Sequence, residues 1–340
     1  MNKEKTIQCG AALGSGEVLF ASSSDEPSVQ GMDLSYVFRL WITADSPGYE
    51  WVWNDYDWTV VSTGLTPAGL RCVLSKEGQV NIYGPGGVPD CAFQIPDAGV
   101  SGPASIGLGY VLRIRAVGSH LLVCGQSRQV YRFDWGGQDL ASGRWVDMAG
   151  SMRQPPMPEP PEDDDDLDAL DAWLDANESI DFLDIDGPAE NDLYAVGDET
   201  WHWDGHAWRQ LPLPTDEPLA ALHVVDARRI AMVGHNGTVL WGNAREGFRN
   251  LSTVDDNQNF TGVAWFDNRL FLASNVGLFT CDPASPRIEP YRTSLTPDLR
   301  DTHQLEAKDG VLWSFGFKDL AYFDGQRWTR VDHPDNPPIR

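Results

Sequence analysis

The stretch Leu193-Tyr-Ala-Val-Gly197, continued by Trp201-His-Trp-Asp-Gly205 and Trp208-Arg-Gln-Leu211, decides the fold of this chain. An apolar run ends in glycine, a second run ends in an Asp-Gly pair, and a tryptophan opens a third run. This three-run motif, called the phrase below, recurs near the C-terminus as Leu312-Trp-Ser-Phe-Gly316, Ala321-Tyr-Phe-Asp-Gly325 and Trp328-Thr-Arg-Val331. Self-similarity of this kind indicates a repeat architecture.

Weaker copies of the phrase give the period. Apolar runs end at Gly125, Gly234 and Ser274, and each leads into a second short run. The end positions 197, 234, 274 and 316 are 37, 40 and 42 residues apart. Repeats of about 40 residues with four short strands are typical of propeller blades. The sequence therefore predicts an all-β propeller, a single domain over residues 1–340, with seven four-stranded blades. Six blades are the alternative, because the unit around residues 66–98 lacks a clear innermost strand.

Local patterns assign the strands. The Asp-Gly pairs at 204–205 and 324–325 predict tight hairpin turns, and the tryptophan after each turn should begin the outermost strand. Upstream, Ser35–Trp41 is predicted as the inner strand of the first unit. Residues Tyr49–Trp53 and Asp57–Val61 are predicted as its last two strands.

The phrase Gly187-Pro-Ala-Glu-Asn-Asp-Leu-Tyr-Ala-Val-Gly197, with its Trp-Asp-Gly and Trp208, resembles bacterial β-propeller repeats and, in general pattern, kelch-like and other multi-blade proteins. The resemblance is strong over residues 179–215 and 301–334 and thin before residue 100. It implies a closed propeller with a binding role, and it transfers no catalytic residue. A WD40 pattern is not recognised, because Gly-His and Trp-Asp pairs do not frame each blade.

Charge is the second informative property. The chain has 50 acidic and 25 basic residues, a formal net charge of −25. Such a field disfavours nucleic acid and anionic membranes as direct partners and attracts a basic protein. Simple solubility of an aromatic-rich surface is the alternative explanation. No apolar stretch follows the N-terminal lysines, so we predict no signal peptide and a cytoplasmic location.

The search for catalytic or metal motifs gives no match. The five cysteines are scattered without a Cys-x-x-Cys pair, which predicts buried free thiols. His202 and His206 flank an Asp-Gly turn and are predicted as exposed turn residues. Asp184-Ile-Asp186-Gly187 resembles the start of a calcium loop, but Ala195 occupies the twelfth position, so the two acids are predicted to lie in a turn. The sequence predicts no cofactor and no metal.

Residues 149–178 interrupt the repeat of about 40 residues. A proline-rich spacer, Met152–Pro161, precedes an acidic segment in which Leu167, Leu170 and Leu174 share one face of a predicted helix beside Trp173. A solvated loop with its helix on the propeller rim is one interpretation. The other is a recognition arm for a basic partner. Its predicted contacts are Leu170, Trp173 and Leu174 as apolar anchors and Asp163, Asp164, Asp165 and Asp166 as the charged rim.

These features favour a non-catalytic protein-binding propeller, and most specifically a cytoplasmic immunity or antitoxin-like protein that blocks a basic toxin. A scaffold subunit of a larger complex is one alternative. The other is an enzyme acting on glycans or small molecules through a carboxylate pair at the axis, which blades distant in sequence could bring together.

Overall fold

The computed structural model describes residues 4–29, 31–43, 48–84, 91–102, 105–136, 140–158, 161, 167–252 and 257–340. Within them the strands form seven four-stranded sheets, each pairing four consecutive strands in an antiparallel order. The first strands of neighbouring sheets contact one another around the whole ring, from the first sheet to the seventh and back to the first. The chain is a seven-bladed β-propeller, as the sequence predicted.

Blades are numbered in chain order, and each holds four strands. Blades 1 to 3 contain β1 (Lys5–Gly14), β2 (Glu17–Ser24), β3 (Ser35–Thr43), β4 (Gly48–Tyr56); β5 (Val60–Leu65), β6 (Arg71–Ser75), β7 (Gln79–Tyr83), β8 (Cys91–Gln94); and β9 (Val111–Val117), β10 (His120–Gly125), β11 (Val130–Asp134), β12 (Arg144–Asp147). Blades 4 and 5 contain β13 (Phe182–Ala189), β14 (Asp192–Gly197), β15 (Thr200–Trp203), β16 (Trp208–Gln210); and β17 (Leu219–Asp226), β18 (Arg229–Gly234), β19 (Val239–Asn243), β20 (Gly247–Asn250). Blades 6 and 7 contain β21 (Gly262–Phe266), β22 (Arg269–Ser274), β23 (Gly277–Asp282), β24 (Ser285–Tyr291); and β25 (Thr302–Lys308), β26 (Val311–Gly316), β27 (Leu320–Phe323), β28 (Trp328–Val331). The helix α1 spans Leu167–Ala176, between blades 3 and 4.

The glycine that recurs at the end of the second strand is required by close backbone approach. A Cβ on Gly197 would lie 1.8 Å from the carbonyl oxygen of Asp181, and one on Gly234 would lie 2.0 Å from that of Pro218. Both carbonyls belong to the chain entering the first strand of the same blade. The repeat therefore marks the point where the first two strands of a blade come together at the edge of the sheet.

The Asp-Gly pairs lie in tight hairpin turns, as predicted, but only the glycine of each pair takes the positive φ. Gly205 has a φ of 90°, whereas Asp204 does not adopt a positive φ. Instead, the Asp204 carboxylate accepts the backbone N–H groups of His206 and Ala207 at 3.0 and 2.9 Å. The aspartate thus closes the turn with its side chain, as Asx turns do. Trp208 then begins the outermost strand, as predicted, and its ring centroid lies 5.7 Å from that of Trp203.

The assignment of the first unit was wrong. Strand β3 is the third strand of blade 1 rather than its inner strand, and Val60–Leu65 is the innermost strand of blade 2 rather than the outer strand of its predecessor. Strand β5 is therefore the innermost strand of the unit around residues 66–98. The true inner strands of blade 1 are β1 and β2, which carry no tryptophan phrase.

The ring closes without exchange of a strand between the ends of the chain, because β1 to β4 form blade 1 and β25 to β28 form blade 7. The side chain of Gln304 bridges the gap: its Oε1 accepts the Gly10 N–H at 3.0 Å and its Nε2 donates to the Gly10 carbonyl. The ring of Phe315 packs directly on Gly10, where a Cβ would lie 2.2 Å from it. Gly10 therefore allows the two terminal blades to meet.

The order of strands defines two faces. The turns between first and second strands, and between third and fourth strands, lie on one side, here named the hairpin face. The turns between second and third strands lie on the other side with the links from blade to blade, and this side is named the connection face. Helix α1 belongs to a blade-to-blade link and therefore to the connection face. Within the residues described, no helix is long and apolar enough to cross a membrane.

Candidate partner-binding arm and the propeller axis

The link between blades 3 and 4 is fixed to the propeller at its root. Arg153 pairs with Asp147 at 2.9 Å and with Asp97 at 3.5 Å. The N–H of Gln154 donates to the Ser127 carbonyl at 3.1 Å. These contacts hold the start of the spacer against blade 3 and against the link between blades 2 and 3.

Gln154 also ties the outgoing chain to the returning chain. Its Oε1 accepts the N–H of Ile180 at 2.7 Å, and its Nε2 donates to the Glu178 carbonyl at 3.2 Å. Beyond this clamp, a pocket of about 260 Å³ separates Pro155–Pro158 from the C-terminal end of the helix. The chain is thus clamped just after the C-terminal end of the helix, while the pocket keeps that end apart from the prolines.

Helix α1 is covered on one side only. None of its residues is buried, and Leu167 and Leu174 are 67% and 50% exposed. Leu170 and Trp173 are half-buried, and the indole N–H of Trp173 is buried without a hydrogen-bond partner among the described residues. With 3.6 residues per turn, the half-buried pair lies on the side that leans on the protein, and the two exposed leucines lie beside it.

Three aspartates follow the same spacing as the leucines, one position later. Asp168, Asp171 and Asp175 are all exposed, and none forms an ion pair within the part of the chain that the structure describes. They form an acidic stripe next to Leu167 and Leu174. Sequence reasoning missed this stripe, although the i, i+3, i+7 spacing that located the leucines could have located it.

The predicted contacts are therefore brought together only in part. Leu170, Trp173 and Leu174 share the helix, but Trp173 lies on its covered side and Leu174 on its exposed side. Asp163, Asp164, Asp165 and Asp166 lie outside the described residues.

A second cluster of charges fills the propeller axis. The carboxylate of Asp184 on blade 4 is fully buried and lies 3.3 Å from Nε of both Arg113 and Arg115 on blade 3. It also accepts the backbone N–H of Leu222 on blade 5 at 3.2 Å. Across the axis, Nη1 of Arg115 lies 2.8 Å from Oε1 of Glu306 on blade 7. One carboxylate and one arginine thus connect four blades.

Burial and charge shift the pKa values of this cluster in different directions. Burial acts to raise the pKa of Asp184, but Arg115 and Arg113 outweigh it and hold that pKa below its usual value. Burial raises the pKa of Asp186 to about 7, and the negative charges of Asp184 and Glu306 add to that rise. Burial lowers the pKa of His223 to about 4, so its imidazole is neutral at pH 7.

The glycan-enzyme alternative requires carboxyls at the propeller axis, and Asp186 and Glu306 both line the mouth of that axis. The mouth on the hairpin face is lined by small, aliphatic and charged residues, and no described aromatic residue lies among them. Arg115 occupies the space between Asp184 and Glu306, where a retaining or inverting glycosidase would hold substrate between two carboxyls.

Two local predictions about candidate metal ligands need correction. Asp184 and Asp186 lie inside strand β13 on the axis rather than in a turn. His202 lies in β15, half-buried, with Nε2 at 2.8 Å from Oδ1 of Asp192, so it is a paired strand residue. Among the described residues, no group of three or more His, Cys, Asp and Glu side chains is placed to hold a metal ion.

The chain is similar in sequence to one curated protein over nearly its whole length. It is 28% identical over 319 residues to the immune protein Tsi7 of Pseudomonas aeruginosa, covering 92% of both chains. No protein-family model matches the chain.

Many solved chains share the fold. The WD40 β-propeller domain of Doa1 superposes with a TM-score of 0.61 at 9% identity, covering 94% of this chain and 92% of that one. The computationally designed Ika8 protein superposes with a TM-score of 0.52 at 9% identity, covering 92% and 94%. At such identities the likeness shows the fold alone. The propeller expectation is confirmed, whereas a specific kelch motif is not.

Proposed function

We propose that this propeller is an immunity-type protein that binds a basic protein toxin and blocks it without catalysis, in the cytoplasm. The observation that carries the proposal is the similarity to the immune protein Tsi7, which spans 92% of both chains at 28% identity. A similarity of that length includes all seven blades, so it concerns the whole domain rather than one repeat.

Charge supports a basic partner. The net charge of −25 creates a field that speeds the encounter with a cationic protein and repels nucleic acid. The acidic stripe Asp168, Asp171 and Asp175 adds a local array of exposed carboxylates without ion-pair partners among the described residues. An exposed acidic array can imitate the negative charge of a nucleic acid, and a nuclease is therefore the toxin class we favour.

The arm supplies an apolar contact beside that charge. Leu167 and Leu174 are exposed next to the acidic stripe, and an amphipathic helix of this kind can dock into a groove of a partner. The scaffold alternative predicts a continuous apolar surface. Here the exposed leucines stand beside carboxylates, which suits a charge-steered binder better.

The test is capture of a partner from a lysate of the native host, followed by a neutralisation assay. The full chain is compared with a variant in which residues 159–176 are replaced by a Gly-Ser segment of equal length. This variant keeps Gln154 and Glu178, which form the base clamp, so the propeller should fold unchanged. We expect the full chain to retain a basic protein that arrests growth when expressed alone in a heterologous bacterium, and co-expression of the propeller to restore growth.

The outcomes separate the two parts of the proposal. If the captured protein is lost from the arm variant, the arm contributes the contact. If the full chain and the arm variant both retain the captured protein and both restore growth, the immunity function holds and the arm hypothesis is wrong. If no cationic protein is retained at moderate salt, or co-expression does not restore growth, the proposed function is wrong.

A further inference from the structure

Large apolar side chains that remain exposed are distributed unequally between the two faces. Those at least 45% exposed among the described residues lie on the connection face, except for Val52 and Trp53 on the outermost strand of blade 1. The residues on the connection face are Met32, Val100, Ile106, Met157, Leu167, Leu174, Val276 and Phe317. Within the same described residues, the turns of the hairpin face expose no large apolar side chain.

These side chains come from separate blades, so one amphipathic segment does not account for them. Val276 and Phe317 lie in the second-to-third-strand turns of blades 6 and 7, across the ring from the helix. Val100 and Ile106 lie in the link between blades 2 and 3. Isolated exposed apolar residues need no explanation, but their confinement to one face marks that face as an interaction surface.

The turn that presents Phe317 is held rigidly. Its carbonyl accepts the N–H of Ile7 at 2.8 Å, which joins blade 7 to blade 1. Its ring stacks on His303 with centroids 4.7 Å apart and an interplanar angle of 18°. An aromatic side chain that is fixed before binding loses little entropy on docking, which is the behaviour of an interface anchor.

The backbone at Val100 is also fixed by hydrogen bonds. The carboxylate of Glu77 accepts the backbone N–H groups of Val100, Ser101 and Gly102 at 2.8, 3.1 and 3.3 Å. These bonds satisfy the Glu77 carboxylate and fix the backbone at Val100, whose side chain is 55% exposed.

The charged side chains exposed on the same face are mostly acidic. Exposed acids of its turns, links and N-terminal segment are Glu4, Asp33, Asp57, Asp168, Asp171, Asp175, Glu178, Asp198 and Asp216. The exposed arginines of the face are fewer, namely Arg292, Arg300 and Arg340. Separate apolar side chains among carboxylates fit a basic protein with apolar contacts of its own.

We infer that the basic protein partner docks across the whole connection face, with Phe317 and Val276 on one side of the ring and Val100, Ile106 and the helix on the other. The inference rests on the proposed function, because it assigns that partner to a surface. It extends the site well beyond the arm and leaves the hairpin face, with its axis mouth, outside the contact.

The experiment measures affinity for the basic protein captured by the wild-type chain. The test variant is Phe317→Ala with Val276→Ser. The matched control is Trp53→Ala with Val52→Ser, because those side chains are 59% and 46% exposed but lie on an outer strand instead of a face. Thermal unfolding of both variants verifies that they are folded.

We expect the test variant to weaken binding about tenfold or more, and the control to stay within about twofold of wild type. Hydrogen exchange of the complex should show protection at residues 98–102, 274–277 and 316–318, which a loss of affinity through misfolding would not produce. If the partner binds but the control loses affinity, or protection falls on the hairpin face, the inference is wrong and the proposed function stands. If wild type captures no basic protein, both are wrong.

Discussion

Arg115 on blade 3 and Glu306 on blade 7 form an ion pair of 2.8 Å across the axis of the propeller. The same guanidinium lies 3.3 Å from Asp184 on blade 4, whose side chain is fully buried. Buried charges of this kind contribute little net stability compared with apolar packing, but removal of one partner leaves the other uncompensated. The ion pairs at the axis, called the lock below, therefore hold the blades together only while each charged side chain is present.

Replacement of Asp184 should expose that dependence. Asp184→Asn keeps the shape but leaves Arg113 and Arg115 facing each other, so the free energy of unfolding at pH 7 should fall by about 3 kcal/mol. Because the pKa of Asp184 is lowered in the folded state, its contribution is present above its unfolded pKa and is lost as the pH falls through the folded pKa. Denaturant unfolding measures the change, and the exposed Asp216→Asn is the control, expected within about 0.5 kcal/mol of wild type. Equal stability of both variants would contradict the lock.

Asp186 should have the opposite effect on stability. Its folded pKa is raised from 3.8 to about 7, so between these values the unfolded state releases a proton that the folded state keeps. Stability therefore falls as the pH rises toward 7 and stays reduced above it. Asp186→Asn should leave stability unchanged near pH 3.5 and raise it at pH 8 by on the order of 2 kcal/mol. The measurement is the unfolding midpoint of both proteins from pH 3.5 to pH 8, and a gain that does not depend on pH would contradict the assignment.

The sequence was sufficient to predict the blades that carry the phrase, but it was not sufficient to predict the ion pairs at the axis. Glycine positions such as 197 and 234 mark backbone contacts within one blade, so local spacing predicts them. The axis cluster joins Arg115 to residues 69 and 191 positions away, and no local pattern contains such pairs. The first blade was misassigned because its inner strands, Lys5–Gly14 and Glu17–Ser24, lack the phrase. On the arm, helical spacing located the leucines, but only packing could separate the exposed Leu174 from the covered Trp173.

The glycine at the end of the second strand should not tolerate a side chain. In Gly197→Ala the new Cβ would lie 1.8 Å from the Asp181 carbonyl oxygen, which is backbone and cannot rotate away. We expect a loss of about 3 kcal/mol or failure to fold. Gly64→Ala is the matched control, since its Cβ would lie in ordinary contact, 3.5 Å from Sγ of Cys72. The soluble yield and thermal midpoint of the two variants give the comparison, and a stable Gly197→Ala protein would show that the strands can separate there.

Closure of the ring should depend on one amide. In Gln304→Ala the N–H and carbonyl of Gly10 lose their partner at the junction of blades 1 and 7. Two buried backbone groups left unsatisfied should cost about 2–4 kcal/mol and make the junction the first place to open. The test is limited proteolysis with mass spectrometry, in which cleavage should concentrate in blades 1 and 7. Gln210→Ala, on the exposed outermost strand β16, should cleave like wild type. Cleavage spread evenly over the blades in Gln304→Ala would argue against a local closure.

The two sides of the arm helix should act differently in binding. Leu167→Ser with Leu174→Ser removes exposed apolar surface, so the complex with the basic partner should dissociate faster, by about tenfold, while the free protein keeps its stability. Neutralising the stripe with Asp168→Asn, Asp171→Asn and Asp175→Asn should instead slow association and flatten its salt dependence. Trp173→Ala, on the covered side, should act on the free protein by loosening the helix, seen as faster hydrogen exchange at residues 167–176 before any partner is added. Biolayer interferometry at two salt concentrations separates the first two effects. If Trp173→Ala alone accelerates dissociation and the leucine pair does not, the covered and exposed sides of the helix have been assigned the wrong way round.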